Sequence, residues 1–368
     1  MRLAKFLIPP LIFILIGCML AVTGCGNRGT VVEPEGKPES KYITITDCTG
    51  RNIEVPQPLE RVVVFNSWVA EAFRILDVQD KVIGVDEGVQ KHPYLNMQDK
   101  DIAGGTSQPN HERIVELKPQ VVFCISGTGS ARTGKELADK LEPLGIKTVI
   151  LDFHKPDEYN DDLKILATMF GEEKKAGDFI TWKTAQEKKL ADRLKGFKQE
   201  ERKKVFQIWE SGIPKNEWGT SSKGDKIGGT GPDQEINLAG GINIAKDLAE
   251  AYPVVIGEWV LQQNPDTVLI STSKVLGYTT ADYNDASELR DLVLKNKVFA
   301  NLDFVENEQV FVIRGYGNNP YINAQFLAKW LYPERFEDVD PAEALQEYFE
   351  RWLGVPFQGK WAYPLVSN

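Results

Sequence analysis

The sequence predicts an α/β protein of two similar lobes joined by a helix, with a ligand cleft between the lobes. Three observations predict it. Short apolar runs alternate with helical stretches along the body of the chain, the pattern of parallel βαβ units with covered sheet faces. A unit also repeats. Glu112 opens Glu-Arg-Ile-Val-Glu-Leu-Lys-Pro before an apolar run, and Glu258 opens Glu-Trp-Val-Leu-Gln-Gln-Asn-Pro before another; the same separation, 146 residues, relates Glu112 to Glu258 and Pro119 to Pro265. Between the copies lies a polar stretch of helix formers, 157–197, whose later part, 179–194, suits a rigid connecting helix.

The chain begins with an export signal. Arg2 and Lys5 precede an apolar stretch over 6–22, and small residues follow at Thr23 and Gly24. Val22-Thr23-Gly24-Cys25 resembles a bacterial lipobox, which makes 1–24 a lipoprotein signal peptide and Cys25 the lipidated first residue of the mature chain. Several acyl chains on one cysteine anchor stably where one would be marginal. The expected location is therefore the outer face of the cytoplasmic membrane, or the periplasmic side of the envelope. Residues 25–41, rich in Gly, Pro, Glu and Ser, read as a flexible tether.

The first lobe is expected over 42–170. Its strand candidates are 61–65, 81–85, 121–125 and 147–151, with helices over 70–76 and 135–144, the latter closed by Gly145. A connecting helix is expected within 171–197. The second lobe, 198–368, restarts the alternation with strands at 205–209, 267–271 and 310–313 and helices near 286–294, 321–331 and 342–353. Ligands of open α/β sheets bind beyond the carboxyl ends of the strands. Two such sheets facing one another would put the site between them.

Charge and motifs narrow the function. The 43 basic and 53 acidic residues give a net charge of −10, an acidic body that argues against nucleic-acid binding. Beyond the signal, Cys48 and Cys124 make neither a disulfide framework nor a metal spacing, and Cys124, in an apolar run, reads as a buried thiol. The segment 129–136, Gly-Ser-Ala-Arg-Thr-Gly-Lys-Glu, nearly matches a phosphate loop at a strand-to-helix junction. However, Glu136 replaces the hydroxyl that would hold Mg²⁺ and sets negative charge where phosphates would lie. His92, His111 and His154 show no metal or catalytic spacing, and no Gly-x-Ser-x-Gly elbow occurs. Nothing in the chain asks for an enzyme or a cofactor.

At this point the residues carry a family resemblance. Thr46-Asp47-Cys48-Thr49-Gly50-Arg51, Val55-Pro56, Glu60-Arg61-Val62-Val63-Val64, Lys81-Val82-Ile83-Gly84-Val85, Leu117-Lys118-Pro119, Leu144-Gly145-Ile146 and Leu238-Ala239-Gly240-Gly241-Ile242-Asn243 follow one another in order. They resemble the iron-siderophore, haem and cobalamin substrate-binding lipoproteins of ABC importers, over about 42–311. Gln120 departs from that pattern, where an acid usually follows the proline. The resemblance implies two Rossmann-like lobes bridged by one long helix, and a monomer that serves an ABC permease and its ATPase subunit. It also implies that Glu112 and Glu258 present one carboxylate per lobe to arginines of the permease. Two separated charges orient a long receptor and speed its encounter with a twofold partner. The alternative is that each acid merely favours the dipole of its helix.

Loops after expected strands supply cleft candidates: Ser67, Trp68, Thr106 and Thr128 in the first lobe, and Trp209, Trp218, Tyr278 and Tyr316 in the second. The aromatic residues would wall a large, flat or greasy ligand, while Arg132 and Arg314 would neutralise an anionic one. An iron complex of siderophore type fits this set. Cobalamin, haem and a molybdate or tungstate oxyanion remain open as cargo, and bare ferric ion lacks converging donors. A surface-anchored enzyme or sensor on the same two-lobed body is the reading from another class.

Overall fold

The computed structural model describes residues 42–125, 130–224, 230–315 and 319–365, and side chains 130–132 are outside that description. The chain enters on an antiparallel hairpin, β1 (Tyr42–Thr46) and β2 (Asn52–Pro56), that sequence reading did not anticipate. The first sheet takes β3 (Val62–Val64), β4 (Val82–Val85), β5 (Asp101–Ile102), β6 (Val121–Ile125) and β7 (Lys147–Leu151) in the order β5-β4-β3-β6-β7, all parallel. The second takes β8 (Lys204–Trp209), β9 (Ile242–Asn243), β10 (Thr267–Thr272), β11 (Val310–Arg314) and β12 (Ala362–Tyr363) in the order β9-β8-β10-β11-β12. Only β12 runs antiparallel there among the described residues.

Each long strand is a continuous buried run rather than an alternating one, as parallel sheets covered on both faces require. The covering helices are α1 (Ser67–Leu76), α2 (His111–Leu117), α3 (Ser130–Leu141), α4 (Tyr159–Phe170), α5 (Glu173–Leu194), α6 (Gly231–Leu238), α7 (Gly257–Gln263), α8 (Asn284–Leu294), α9 (Pro320–Leu331) and α10 (Pro341–Glu347). The fold is thus α/β with two lobes. The expected strands agree with β3, β4, β6, β7, β8, β10 and β11 to within a residue or so. Short edge strands β5, β9 and β12 have two residues each, too few to leave a periodic signal.

The internal repeat survives in the backbone. Helices α2 and α7 both have seven residues, and each ends on a left-handed residue, Lys118 (φ 51°) or Asn264 (φ 44°). A proline follows each cap, and then β6 or β10 begins. The cap turns the chain back, and the proline prevents the helix from continuing.

Helix α5 joins the lobes physically. Its Ala176, Phe179 and Trp182 enter the core that holds β3 and α1, whereas Leu190 enters the core under α9 and β10. The chain end also returns to the first core, where Tyr348, Phe349, Leu353, Val355 and Trp361 are buried beside Val62 and Phe73. Lys183, almost fully buried in α5, is neutralised by Glu187 at 2.6 Å and lies over the rings of Tyr159 and Tyr321. A buried ammonium needs such partners.

The near-phosphate loop has a structural explanation. A Cβ on Gly134 would stand 2.9 Å from Ile150 Cδ1, so the glycine lets α3 lie close on the sheet. Lys135 is exposed and pairs with Asp139 one turn along the helix at 3.1 Å. Cys124 is a buried free thiol, pushed up to about 12 by burial.

Candidate functional site

A cavity of about 500 Å³ opens between the lobes. Trp68 and His154 line it from the first lobe, and Trp209, Thr220, Glu235, Tyr252, Ser271 and Gly315 are among its walls from the second. The cavity lies at strand ends, where the rule for open α/β sheets put the expected cleft: Trp209 ends β8, Ser271 lies near the end of β10, and Gly315 follows β11.

Trp68 reaches the cavity because α1 begins where it does. Asn66 caps the helix by accepting from the Trp68 N–H at 2.8 Å. Buried Asp86 in turn accepts from the Asn66 N–H and from the Thr106 hydroxyl at 3.0 Å. The Thr106 hydroxyl is thus spent on holding this turn, and Thr106 is not among the lining residues. The Trp68 ring stacks on His154, with centroids 5.4 Å apart and planes 21° from parallel. His154 Nδ1 pairs with the carboxylate of buried Asp152, which Lys155 also grips at 2.9 Å. Burial works against the charge of Lys155, yet its bonds to Glu158 and Asp152 outweigh that and hold its ammonium above the ordinary range. The imidazole is therefore fixed at one nitrogen and on one face.

On the other wall, Glu235 projects from α6 with burial lifting its carboxyl to about 8, against a smaller opposing pull from Asn323. Burial also raises the Tyr252 phenol, with the Asp152 charge adding to it. The Thr220 hydroxyl is fully buried on the cavity wall and has no hydrogen-bond partner among the described residues. No Lys or Arg occurs among the described lining residues. No group of three or more His, Cys, Asp or Glu residues that could hold a metal ion is found among them either.

The remaining candidates are dispersed. Ser67 opens α1, half-buried, outside the lining. Trp218 is a core residue, 2% exposed, with its ring 4.8 Å from Phe299. Tyr278 packs on Tyr94 and Phe349, 5.2 and 5.6 Å between centroids. The Arg314 guanidinium turns to the Ser273 carbonyl oxygen. It also lies near His92, whose imidazole burial and that charge together lower to about 4. Cys25, Thr128 and Tyr316, and the side chain of Arg132, lie outside the described residues. Sequence reading missed His154, Glu235, Tyr252 and Thr220. His154 follows β7 closely, so the strand-end rule could have found it; the scatter of the three histidines hid it.

Glu112 and Glu258 stand at the second positions of the equivalent helices α2 and α7. Both are exposed, and neither has an ion-pair partner among the described residues.

Comparison with known proteins agrees with this architecture. The molybdate-binding protein MolA of Haemophilus influenzae is 24% identical over 347 residues, covering 85% of this chain and 92% of its own. The iron-uptake system-binding protein of Bacillus subtilis is 25% identical over 308 residues, covering 82% of this chain and 89% of its own. Among solved structures, the TroA-like periplasmic binding protein FepB of Veillonella parvula superimposes with a TM-score of 0.71 at 23% identity. That match covers 88% of this chain and all of the other. Residues 62–316, which carry the cavity-lining residues and every strand of the two sheets except the edge strand β12, match the periplasmic binding protein family, and the chain belongs to that family as a substrate-binding protein.

Proposed function

We propose that this protein is the extracytoplasmic receptor of an ABC importer, lipid-anchored at Cys25, and that its cargo is an iron complex of siderophore type or a related metal chelate. In this reading 42–170 and 198–368 are the two lobes, and 171–197 is the brace between them. The observation that carries the cargo class is the wall composition. Trp68 and His154 face Trp209 and Tyr252 across about 500 Å³, with no cation among the described lining residues. Aromatic walls suit a ligand with a broad apolar exterior. The relative from Bacillus subtilis is named for iron uptake.

The molybdate-binding relative favours a second reading, a small oxyanion. Such an ion needs a small pocket dense in donors and positive charge, and the described walls are wide and include no Lys or Arg. The metal would arrive inside its chelator, since the described residues do not assemble a site for a bare ion.

The repeat supports docking. Helices α2 and α7 run directly into parallel strands, so each starts near the carboxyl edge of its sheet, the edge that carries the cavity. That topology supports the reading in which Glu112 and Glu258, one per lobe, meet two basic patches on a twofold permease.

A thermal-shift panel of ferric siderophores, haem, cobalamin, molybdate and tungstate tests the cargo. A true ligand at a hundredfold its Kd adds about 2.7 kcal/mol of stability. We expect a ferric siderophore to raise Tm; a response to molybdate or tungstate alone would replace the chelate by the oxyanion.

A further inference from the structure

We propose that the Glu235 carboxyl is the cargo-reading donor of the cavity, giving a hydrogen bond to a metal-bound oxygen of the chelate. This deepens the cargo reading above and rests on it.

The placement of Glu235 is enforced by close contact between the lobes. A Cβ on Gly231, at the start of α6, would stand 2.5 Å from the His154 carbonyl oxygen. Three residues on, Gln234 exchanges two hydrogen bonds with Asp157: Nε2 donates to the carboxylate at 2.8 Å, and Oε1 accepts from the Asp157 N–H at 3.1 Å. Helix α6 is thereby clamped to the 152–158 loop, and the next residue, Glu235, is presented to the cavity between them.

A carboxylate there would be poorly supported. Asn323 of α9 is its hydrogen-bond partner, and that amide is shared with the Arg314 carbonyl oxygen at 3.2 Å. His154, Glu217 and Tyr252 line the same cavity. From α9, Tyr321 is buried deeper, toward Lys183, and Lys329 bonds the Val339 carbonyl oxygen. Lys183, Glu187 and Lys188 of α5 meet the other side of α6, at Gln234 and Asn237. Lys223 and Lys246 bear on Asp233. No ion-pair partner reaches Glu235 among the described residues, so burial favours the neutral acid up to about pH 8. A neutral acid carries a donor proton, whereas a carboxylate only accepts.

The chemistry then has a direction. Hydroxamate and catecholate chelators surround iron with oxygen atoms that accept hydrogen bonds. A protonated Glu235 welcomes such an exterior. An ionised Glu235 repels it. Cargo affinity should thus be constant below about pH 7 and fall about tenfold per pH unit above 8.

The test uses a ferric trihydroxamate, whose own charge is constant across this range, and reads its Kd by quenching of intrinsic fluorescence. Wild type and Glu235→Gln are titrated from about pH 6.5 to 9.5, with circular dichroism and Tm recorded at each pH. We expect the alkaline decline in wild type. Glu235→Gln, which keeps a donor and cannot ionise, should bind several-fold more weakly at neutral pH with no decline. A flat wild-type profile, or an equal decline in Glu235→Gln, overturns the role of Glu235 and leaves the chelate reading standing. If the trihydroxamate and a ferric tricatecholate both fail to bind at every pH, the chelate reading falls, and this inference falls with it.

Discussion

Gln234 and Asp157 hold one another across the boundary of the two lobes, each side chain or main chain answering the other in a pair of hydrogen bonds of 2.8 and 3.1 Å. The pair closes one flank of the cavity. Helix α5, packed into a core at each end, ties the lobes independently of this pair.

Gln234→Ala should therefore loosen the closed state more than it harms folding. Losing two hydrogen bonds, one to a charged acceptor, costs about 1–2 kcal/mol. Bound cargo should leave about tenfold faster, since 1.4 kcal/mol is one decade. A stopped-flow chase of a bound ferric chelate reads the rate directly. An unchanged rate would mean that this contact does not gate release.

Trp68→Ala removes the ring that stacks on His154 and one aromatic wall of the cavity. We expect a Kd at least tenfold weaker with little change in Tm, because Trp68 is only partly buried against the first core. Quenching of the remaining tryptophans, Trp209 at the cavity among them, provides the measurement, and full affinity in the variant would argue against this wall as the cargo surface.

Asp162 lies buried beneath the His154 loop and accepts a hydrogen bond from the Asp152 N–H. Burial lifts its carboxyl to about 8, with the charges of Asp152, Glu158 and Asp161 adding to the shift. The unfolded chain releases this proton near the ordinary carboxylate value, whereas the folded chain keeps it until about pH 8. The stability contribution is thus fully present at low pH and is lost as pH rises through that window. Asp162→Asn keeps an acceptor and cannot ionise. It should gain at least about 2 °C in Tm over wild type at pH 8, and less at pH 5. A constant difference across that range would show that Asp162 does not titrate there.

The paired acids make a separate prediction. Glu112→Ala with Glu258→Ala should leave cargo affinity and Tm unaltered and abolish most uptake in cells, because the change touches only exposed side chains. Uptake at wild-type level would remove the docking role and leave both acids as helix-dipole partners.

Local chemistry wrote much of the fold into the sequence. The apolar run 121–125 between Pro119 and a glycine-rich segment can only be a buried strand, and the matching run after Pro265 announces a second lobe through the same spacing. The tract 179–194 falls within the helix that joins the lobes. Two-residue edge strands carried too little periodicity to be seen, whereas the entry hairpin does alternate, with Ile43 and Ile45 against Ile53 and Val55, and its signal was passed over.

The site was legible only in part, for a physical reason. Trp68 and Trp209 follow from strand ends, which local sequence reveals. Trp218 and Tyr278 follow similar elements and yet are spent on packing with Phe299, Tyr94 and Phe349, partners distant in sequence. His154 and Glu235 lie 81 residues apart. They line one cavity only because Gly231 lets the second lobe approach the first. Sequence alone determined the two-lobed α/β body and its pair of displayed acids, since strand period, caps and proline stops act within a few residues. Tertiary structure alone decided which side chains line the cavity, since burial and a carboxyl's hold on its proton depend on what the other lobe brings beside it.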